Sequence, residues 1–395
     1  MTVSRVVSNH EEVARHAFLP FLGLDSISWK VARGDDNKLR RTAKVRPIRY
    51  AAHLDSAIYS YYSAVLATKY EAALSEEGMS DHVIAFRSLG KSNIEFASEA
   101  FNWIESHETC VAFGFDVRDF FGSLDHKILK QQWVQIINAP ALPSDHFAVF
   151  KSLTRYAYAN LIEVRRALNK TRSATSKTDR LCSPAEFRSK IRDAGLIKTN
   201  HSGAGIPQGS PLSAILSNIY MFNFDKKMRD FVASRKGFYR RYCDDILVIL
   251  PSQHAPESEQ RIKDELAILK LELQTAKTLR CDFPLTSNAR PLQYLGLVYD
   301  GNKIMLRSSG ISRYYKKMRI GLIGMSSGKA GKQKLIRRKG EMRSRYTIYK
   351  PKHKQNFHSY VGRVDGKLGQ MTASKQMTKH TWKFNRHFES LTSDD

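Results

Sequence analysis

The chain reads as an α+β protein, and three observations predict this class. Helix-like periodicity fills much of residues 1 to about 105. Two short apolar runs, CVAFGFDV (Cys110–Val117) and ILVIL (Ile246–Leu250), are strand-like, and each carries a carboxylate at one end. The last section, 301–395, mixes many aromatic residues with 23 Lys and Arg against 5 Asp and Glu. With 395 residues, 42% of them hydrophobic, the chain can bury a sizeable core and suggests two or three structural units.

Near the N-terminus, EEVARHAFLPFLGL is expected to be helical. AAHLDSAIYSYYSAVLATKYEAAL, from Ala51, carries apolar and aromatic residues at three- and four-residue steps. Between them KLRRTAKVRPIRY (Lys38 to Tyr50) is basic, with Pro47 after a run that could be extended. EGMSDHVIAFRSLGKSN (Glu77 to Asn93) breaks the helical pattern with glycines, and NIEFASEAFNWIESH resumes it. CVAFGFDV reads as a buried strand, and LDHKILKQQWVQII as a helix before Pro140 and Pro143. Residues 145 to 204 carry no clear function. Their portion TRSATSKTDR is polar, basic and expected to be exposed, and the positive charges of the whole region suit an RNA contact and a plain solvated face equally well. SPLSAILSNIYMFNFDKKMRDFVA (Ser210 to Ala233) reads as one long helix. FYRRY and ILVIL read as strands joined by a tight turn over Cys243 and Asp244. SEQRIKDELAILKLELQ follows as an amphipathic helix, and PLQYLGLVYDGNKIML as two short strands around Asp300-Gly301-Asn302.

The formal net charge is +26, of which residues 301–395 supply +18. Such an excess favours a polyanionic partner, since neutralising phosphates releases counterions. No apolar stretch approaches the roughly 20 residues needed to span a bilayer, and the N-terminus lacks the apolar core of a signal peptide. Membrane insertion is therefore not expected. The four cysteines, Cys110, Cys182, Cys243 and Cys281, are scattered without a C-x-x-C pair. This predicts free thiols in a reducing cytoplasm rather than disulfides or a zinc knuckle.

The chemistry-bearing residues are carboxylates. Adjacent Asp244 and Asp245 repel each other, and burying either is costly unless a positive group compensates. Asp116 ends the first apolar strand, so it can meet the hairpin tip in space. Three such carboxylates could bind two divalent cations; magnesium prefers oxygen ligands and keeps company with phosphates. Two ions can activate an attacking hydroxyl and stabilise a leaving pyrophosphate, so no covalent protein nucleophile is needed. Between the two acidic strands lies GAGIPQGSPLSAILSNIY (Gly203 to Tyr220). Its glycines and proline bring backbone close to a ligand just before a helix, and Gln208 can hydrogen-bond a nucleotide or its template partner.

FDVRDFF, GIPQGSPLSAILSNIY and YCDD, in that order, resemble the palm motifs of reverse transcriptases, most closely the bacterial branch of group II intron and retron enzymes. The likeness covers roughly residues 38 to 300. It implies a right-hand polymerase fold: an N-terminal helical region and fingers over 1–109, a palm over 110–300 with inserted fingers segments at about 145–204, and a basic helical thumb over 301–395. It implies catalytic, metal-binding roles for Asp116, Asp244 and Asp245 with two Mg2+ ions, which Mn2+ could replace. Phe121 resembles the aromatic gate beneath the incoming sugar; a ring there clashes with a 2′-hydroxyl and favours deoxynucleotides. Asp119 and Phe120 would lie near the triphosphate through backbone N–H groups, and Gln208 at the nucleotide. Lys277 resembles the lysine that faces the triphosphate. Tyr294, Leu295 and Gly296 resemble the primer grip. Arg46 and Arg87 are the fingers candidates for phosphate contact, Arg87 in an F-R-x-x-x-K-S pattern with Lys91 and Ser92.

The resemblance further implies an RNA template, a DNA product and deoxynucleoside triphosphates as partners; oligomeric state is left open. No RNase H or Cys/His endonuclease arrangement is evident, and the chain ends early for a maturase extension. The expectation is a stand-alone bacterial enzyme of antiphage defence that copies a structured noncoding RNA in the cytoplasm. The alternatives are a retron or group II intron-type enzyme, an RNA-dependent RNA polymerase, and a non-catalytic RNA-binding protein on a palm-like fold.

Overall fold

The computed structural model describes residues 3–33, 38–170, 180–286, 289–328, 330–348, 356–369 and 371–393. Most of TRSATSKTDR lies outside these residues. Among them three sheets and a set of helices divide the chain by the way each sheet is covered.

The central sheet decides where the chemistry can sit. Its strands are β3 (Cys110–Asp116), β6 (Phe238–Tyr242), β7 (Asp245–Pro251) and β8 (Leu279–Phe283), in the order β6-β7-β3-β8. Side chains alternate across a strand. On β3 the residues Val111, Phe113 and Phe115 join one apolar cluster, whereas Cys110 and Ala112 join another. On β7 Ile246, Val248 and Leu250 face the first cluster, and Leu247 and Ile249 the second. Burial on both faces explains the continuous apolar runs. The first face is covered by the helices Ser213–Tyr220, Phe222–Ala233 and Ala255–Ile268, the second by the helix Asn93–Glu105. The Asn93–Glu105 helix starts at a capping box in which Ser92 and Glu95 satisfy each other's backbone ends.

The fingers sheet corrects the helical expectation for residues 1 to about 105. Strands β1 (Phe21–Arg33) and β2 (Leu39–Tyr50) form a long antiparallel hairpin, registered from Leu22 opposite Tyr50 to Arg33 opposite Leu39. Only its base gains further strands. Strand β4 (Ala157–Asn160) runs parallel to Phe21–Gly23, and β5 (Ile197–Thr199) pairs with β4. The segment 145–204, without a function by sequence, thus builds the root of this sheet. Helices preceding the hairpin are short, Val3–Val7 and His10–Ala14. The long helix His53–Glu76 buries Ile58, Tyr59, Tyr62, Leu66, Tyr70 and Leu74, the expected periodic face.

Three short strands follow the central sheet: β9 (Leu292–Tyr294), β10 (Leu297–Tyr299) and β11 (Ile304–Leu306), one more than the sequence suggests. The expected Asp300–Asn302 turn joins β10 to β11, and Leu295-Gly296 joins β9 to β10 with both residues at positive φ. Beyond Leu306 the described residues form helices only. Ser308–Ser326, Gly331–Arg337, Lys339–Tyr346 and His380–Glu389 pack around Met318, Leu322, Leu335, Met342, Phe384 and Phe388. No helix among the described residues is long and apolar enough to cross a membrane, and the four cysteines are unpaired.

Candidate active site

The register of the central sheet sets the site. Asp116, the last residue of β3, stands directly opposite Asp245, the first residue of β7. By the alternation above, both lie on the face that carries Ala112, Leu247 and Ile249, so their side chains are cross-strand neighbours. Asp244 sits in the two-residue turn between β6 and β7. There Cys243 has φ +57 and Asp244 does not share that sign, the pattern of a II′ hairpin turn.

Like charges gathered this way disfavour full ionisation. Loss of water around Asp245, then the Asp244 and Asp116 carboxylates, push the Asp245 carboxyl up to about 6, against the pull of Lys277 and Arg307. Asp245 keeps a solvent-facing side, and its two acidic neighbours crowd the other. Lys277 answers the charge directly: its Nζ lies 2.5 Å from Asp116 Oδ1. The lysine is brought there by the backbone. Gln274 N–H donates to Asp116 O at 2.8 Å, Arg118 N–H donates to Glu272 O at 2.8 Å, and a one-turn helix Thr275–Lys277 follows.

The donor set suits a hard divalent cation, because it offers carboxylate oxygens alone and already attracts a cationic group. Among the described residues no three acidic, His or Cys side chains converge tightly enough to ligate one ion as they stand, with the Asp116 carboxylate turned to Lys277.

The Gly203–Tyr220 segment lies against both flanks of this site. Ile206 N–H donates to Phe121 O at 2.9 Å, and Arg49 N–H donates to Gln208 O at 2.7 Å. Gln208 therefore bridges from the segment to β2, beside Ile48. Two glycines make the fit. A Cβ at Gly205 would meet Gly122 O at 2.9 Å, and one at Gly209 would meet Arg49 O at 3.0 Å; both have positive φ. Asp119 is exposed at φ +41 and starts the short helix Phe120–Ser123. Phe120 is buried, and the half-buried Phe121 meets it edge-on at 5.6 Å between ring centres.

Two sequence expectations change here. Arg87 does not reach out from the fingers. Its side chain is 2% exposed and spends four of its five donors inside the fold, two on Glu71 and one each on Ser80 O and Val83 O. Lys91 pairs with Glu99 and Ser92 caps a helix, so the F-R-x-x-x-K-S pattern is used as a turn and a cap. Tyr294 is likewise buried, with no partner for its hydroxyl among the described residues, while the Leu295-Gly296 turn is held by Asn93 Nδ2 donating to Leu295 O at 2.9 Å. Arg46 is exposed on β2, with a long contact of 3.4 Å to Ser28 Oγ. Sequence reasoning missed Arg307, whose charge reaches Asp245, and Arg49, which is buried over the Tyr158 ring at 4.1 Å. Arg307 had a signal, as a cation directly before the first thumb helix. Arg49 had none, since its neighbours are fixed by tertiary pairing.

An antiparallel sheet with paired carboxylates at its tip, flanked by a fingers sheet and a helical thumb, defines a right-hand polymerase. The chain belongs to the family described as reverse transcriptase (RNA-dependent DNA polymerase), whose model matches residues 38–299. No curated protein matches the chain. Among solved structures it is similar to a telomerase from Candida tropicalis, without ligand and truncated of its C-terminal domain, at 12% identity and a TM-score of 0.47 over 73% of this chain and 57% of that one. It is also similar to the telomerase of Candida albicans in complex with a fragment of telomeric RNA, at 11% identity and a TM-score of 0.43 over 98% of this chain and 64% of that one. The chain thus spans about three-fifths of the length of these structures.

Proposed function

We propose that this protein is an RNA-directed DNA polymerase that adds deoxynucleotides to a 3′-hydroxyl. The observation that carries the reading is Asp116 in register with Asp245, with Asp244 in the adjoining turn. Asp116, Asp244 and Asp245 would hold two Mg2+ ions, which when bound supply an activated hydroxyl and charge neutralisation on the phosphates. The residues of the chain do the rest. Lys277 stands ready to move from Asp116 to a triphosphate oxygen. Phe121 closes the space where a 2′-hydroxyl would project. Gln208, fixed to β2, forms one wall of the base pair, and exposed Arg46 meets phosphate from the fingers. The turn Leu295-Gly296 would support the primer end, and the basic thumb would hold the duplex by its phosphates. The division into fingers, palm and thumb at residues 109 and 300 belongs to the same reading.

Substituting Asp244 and Asp245 by Ala should lower DNA synthesis on a primed RNA template at least about 1,000-fold, because transition-state charge loses its main support. RNA affinity should stay within about twofold. Undiminished synthesis would remove the site assignment.

The finer reading is a bacterial enzyme that copies a structured noncoding RNA in antiphage defence, in the cytoplasm. The likeness of FDVRDFF, GIPQGSPLSAILSNIY and YCDD to the bacterial branch supports it. Sequencing nucleic acid bound to the active protein, with phage plating on cells carrying the parent or the Asp244→Ala variant, tests it. Equal plating on both strains would reject the defence role.

A further inference from the structure

Behind the central sheet lies a charge pair that the proposed reaction does not use. Arg241 on β6 and Asp225 on the helix Phe222–Ala233 are both 0% exposed. The guanidinium grips the carboxylate with two bonds, Nε to Oδ1 at 2.7 Å and Nη2 to Oδ2 at 2.6 Å. Tyr239 donates to the same carboxylate at 2.6 Å. A buried ion pair is costly to desolvate, and apolar residues often replace one without loss of stability. Stability alone is therefore a weak reason for a chain to hold one here.

The remaining guanidinium bonds point to the active site. Arg241 Nη1 donates to Cys243 O at 3.0 Å and to Asn218 Oδ1 at 3.2 Å. The Cys243 carbonyl belongs to the peptide unit that leads into Asp244. Cys243 itself is held in the left-handed region, which a residue with a side chain occupies only when its surroundings over-determine it. Asn218 lies on the helix that follows the Gly203–Pro211 segment, and its Nδ2 donates to Ala85 O at 2.9 Å. The backbone of Arg241 is also fixed: its N–H donates to His82 O at 2.8 Å, and its carbonyl accepts from Ile84 N–H at 3.0 Å. The side chain of Arg241 thus ties the carboxylate turn to the helix Ser213–Tyr220, and its backbone holds the loop between the helices His53–Glu76 and Asn93–Glu105.

We propose that Arg241 and Asp225 form a positioning pair that sets the Cys243–Asp244 peptide, and through it the placement of Asp244 and Asp245 against Asp116. The inference rests on the polymerase reading, and its test includes a readout that does not. The double variant Arg241→Met with Asp225→Leu removes both charges at similar volume and leaves no lone buried ion. Its melting temperature should stay within about 5 °C of the parent, a shift of roughly the size a small stability change produces. Its Mg2+ affinity, measured by calorimetric titration of the free protein, should fall about tenfold. Turnover should fall about 10- to 100-fold, with KM for deoxynucleotide within about twofold, the signature of an interaction that matters in the transition state. Arg241→Lys, which keeps the charge without the fork, serves where the double variant is poorly folded and should move both readouts in the same direction. A folded variant with parental Mg2+ affinity and parental turnover would reduce the pair to a packing element. A parent protein that makes no DNA would overturn the polymerase reading, while the Mg2+ titration would still judge the positioning.

Discussion

The β6–β7 hairpin of the palm and the β1–β2 hairpin of the fingers share an antiparallel ladder but differ in almost everything that surrounds it. The palm hairpin is short, turns over two residues, and buries Ile246, Leu247, Val248, Ile249 and Leu250 to 1% exposure or less. Its tip is anchored by a buried ion pair. The fingers hairpin is more than twice as long. Past its base it is open on both faces, with Ile27, Trp29 and Val45 more than half exposed on one, Ser26 and Arg46 exposed on the other, and the Arg41 guanidinium stacked on Trp29. The proposed roles of the two hairpins account for the difference. Carboxylates that share cations need fixed separations, which only a packed sheet supplies. A surface for a polyanion needs charge and reach, and a solvated basic ribbon supplies both.

The comparison can be broken most sharply with one residue type in two places. Ile249→Ala should cost about 2–5 kcal/mol, because its cavity lies in a close-packed core. Ile27→Ala, 56% exposed, should change stability by less than about 0.5 kcal/mol. Equal losses in denaturant titrations would mean that the fingers hairpin is packed as tightly as the palm.

A third region extends the contrast to pH. In the thumb, burial and then the neighbouring His380 ring push His358 down to about 4, from an ordinary value of about 6.5. The unfolded chain therefore takes up the proton first. Stability from this group is full above pH 6.5, declines as pH falls from 6.5 to 4, and levels off below that. Thermal melts of the parent should show this slope, and the His358→Gln variant should lack much of it.

Smaller effects separate chemistry from binding. Phe121→Ala should raise ribonucleotide use relative to deoxynucleotide about 10- to 100-fold, the range a steric pocket commonly provides. Competition assays with both nucleotides measure it. Arg41→Gln should weaken RNA binding and flatten its salt dependence by about 0.7, while turnover at saturating RNA is unchanged. A turnover loss from this variant would make the outer fingers hairpin part of the chemistry.

The legible parts of the molecule are those where local pattern and final environment agree. CVAFGFDV and YCDDILVIL carry apolar runs long enough for a doubly buried strand, and the turn over Cys243 and Asp244 falls where it was expected. FLGLDSISWKVAR lies in the region expected to be helical, although Ile27, Trp29 and Val31 alternate with Ser26, Ser28 and Lys30, a strand signal that the neighbouring helical patterns outweigh. The Ser210–Ala233 helix breaks at Met221, with neither proline nor glycine to announce it, and Asp225 on its second part meets Arg241. Arg87 is expected as a phosphate ligand on the F-R-x-x-x-K-S pattern alone. Its partner Glu71 comes from a helix that sequence spacing alone does not place beside it.

The central claim is that the palm copies RNA into DNA. Its most direct measurement is extension of a primer on an RNA template by the parent protein with Mg2+, supplied with deoxynucleotides or ribonucleotides in separate reactions. The account predicts extension with deoxynucleotides, at least about tenfold faster than with ribonucleotides, from the place proposed for the Phe121 ring beneath the sugar. Equal or faster extension with ribonucleotides, or none with either, would contradict it.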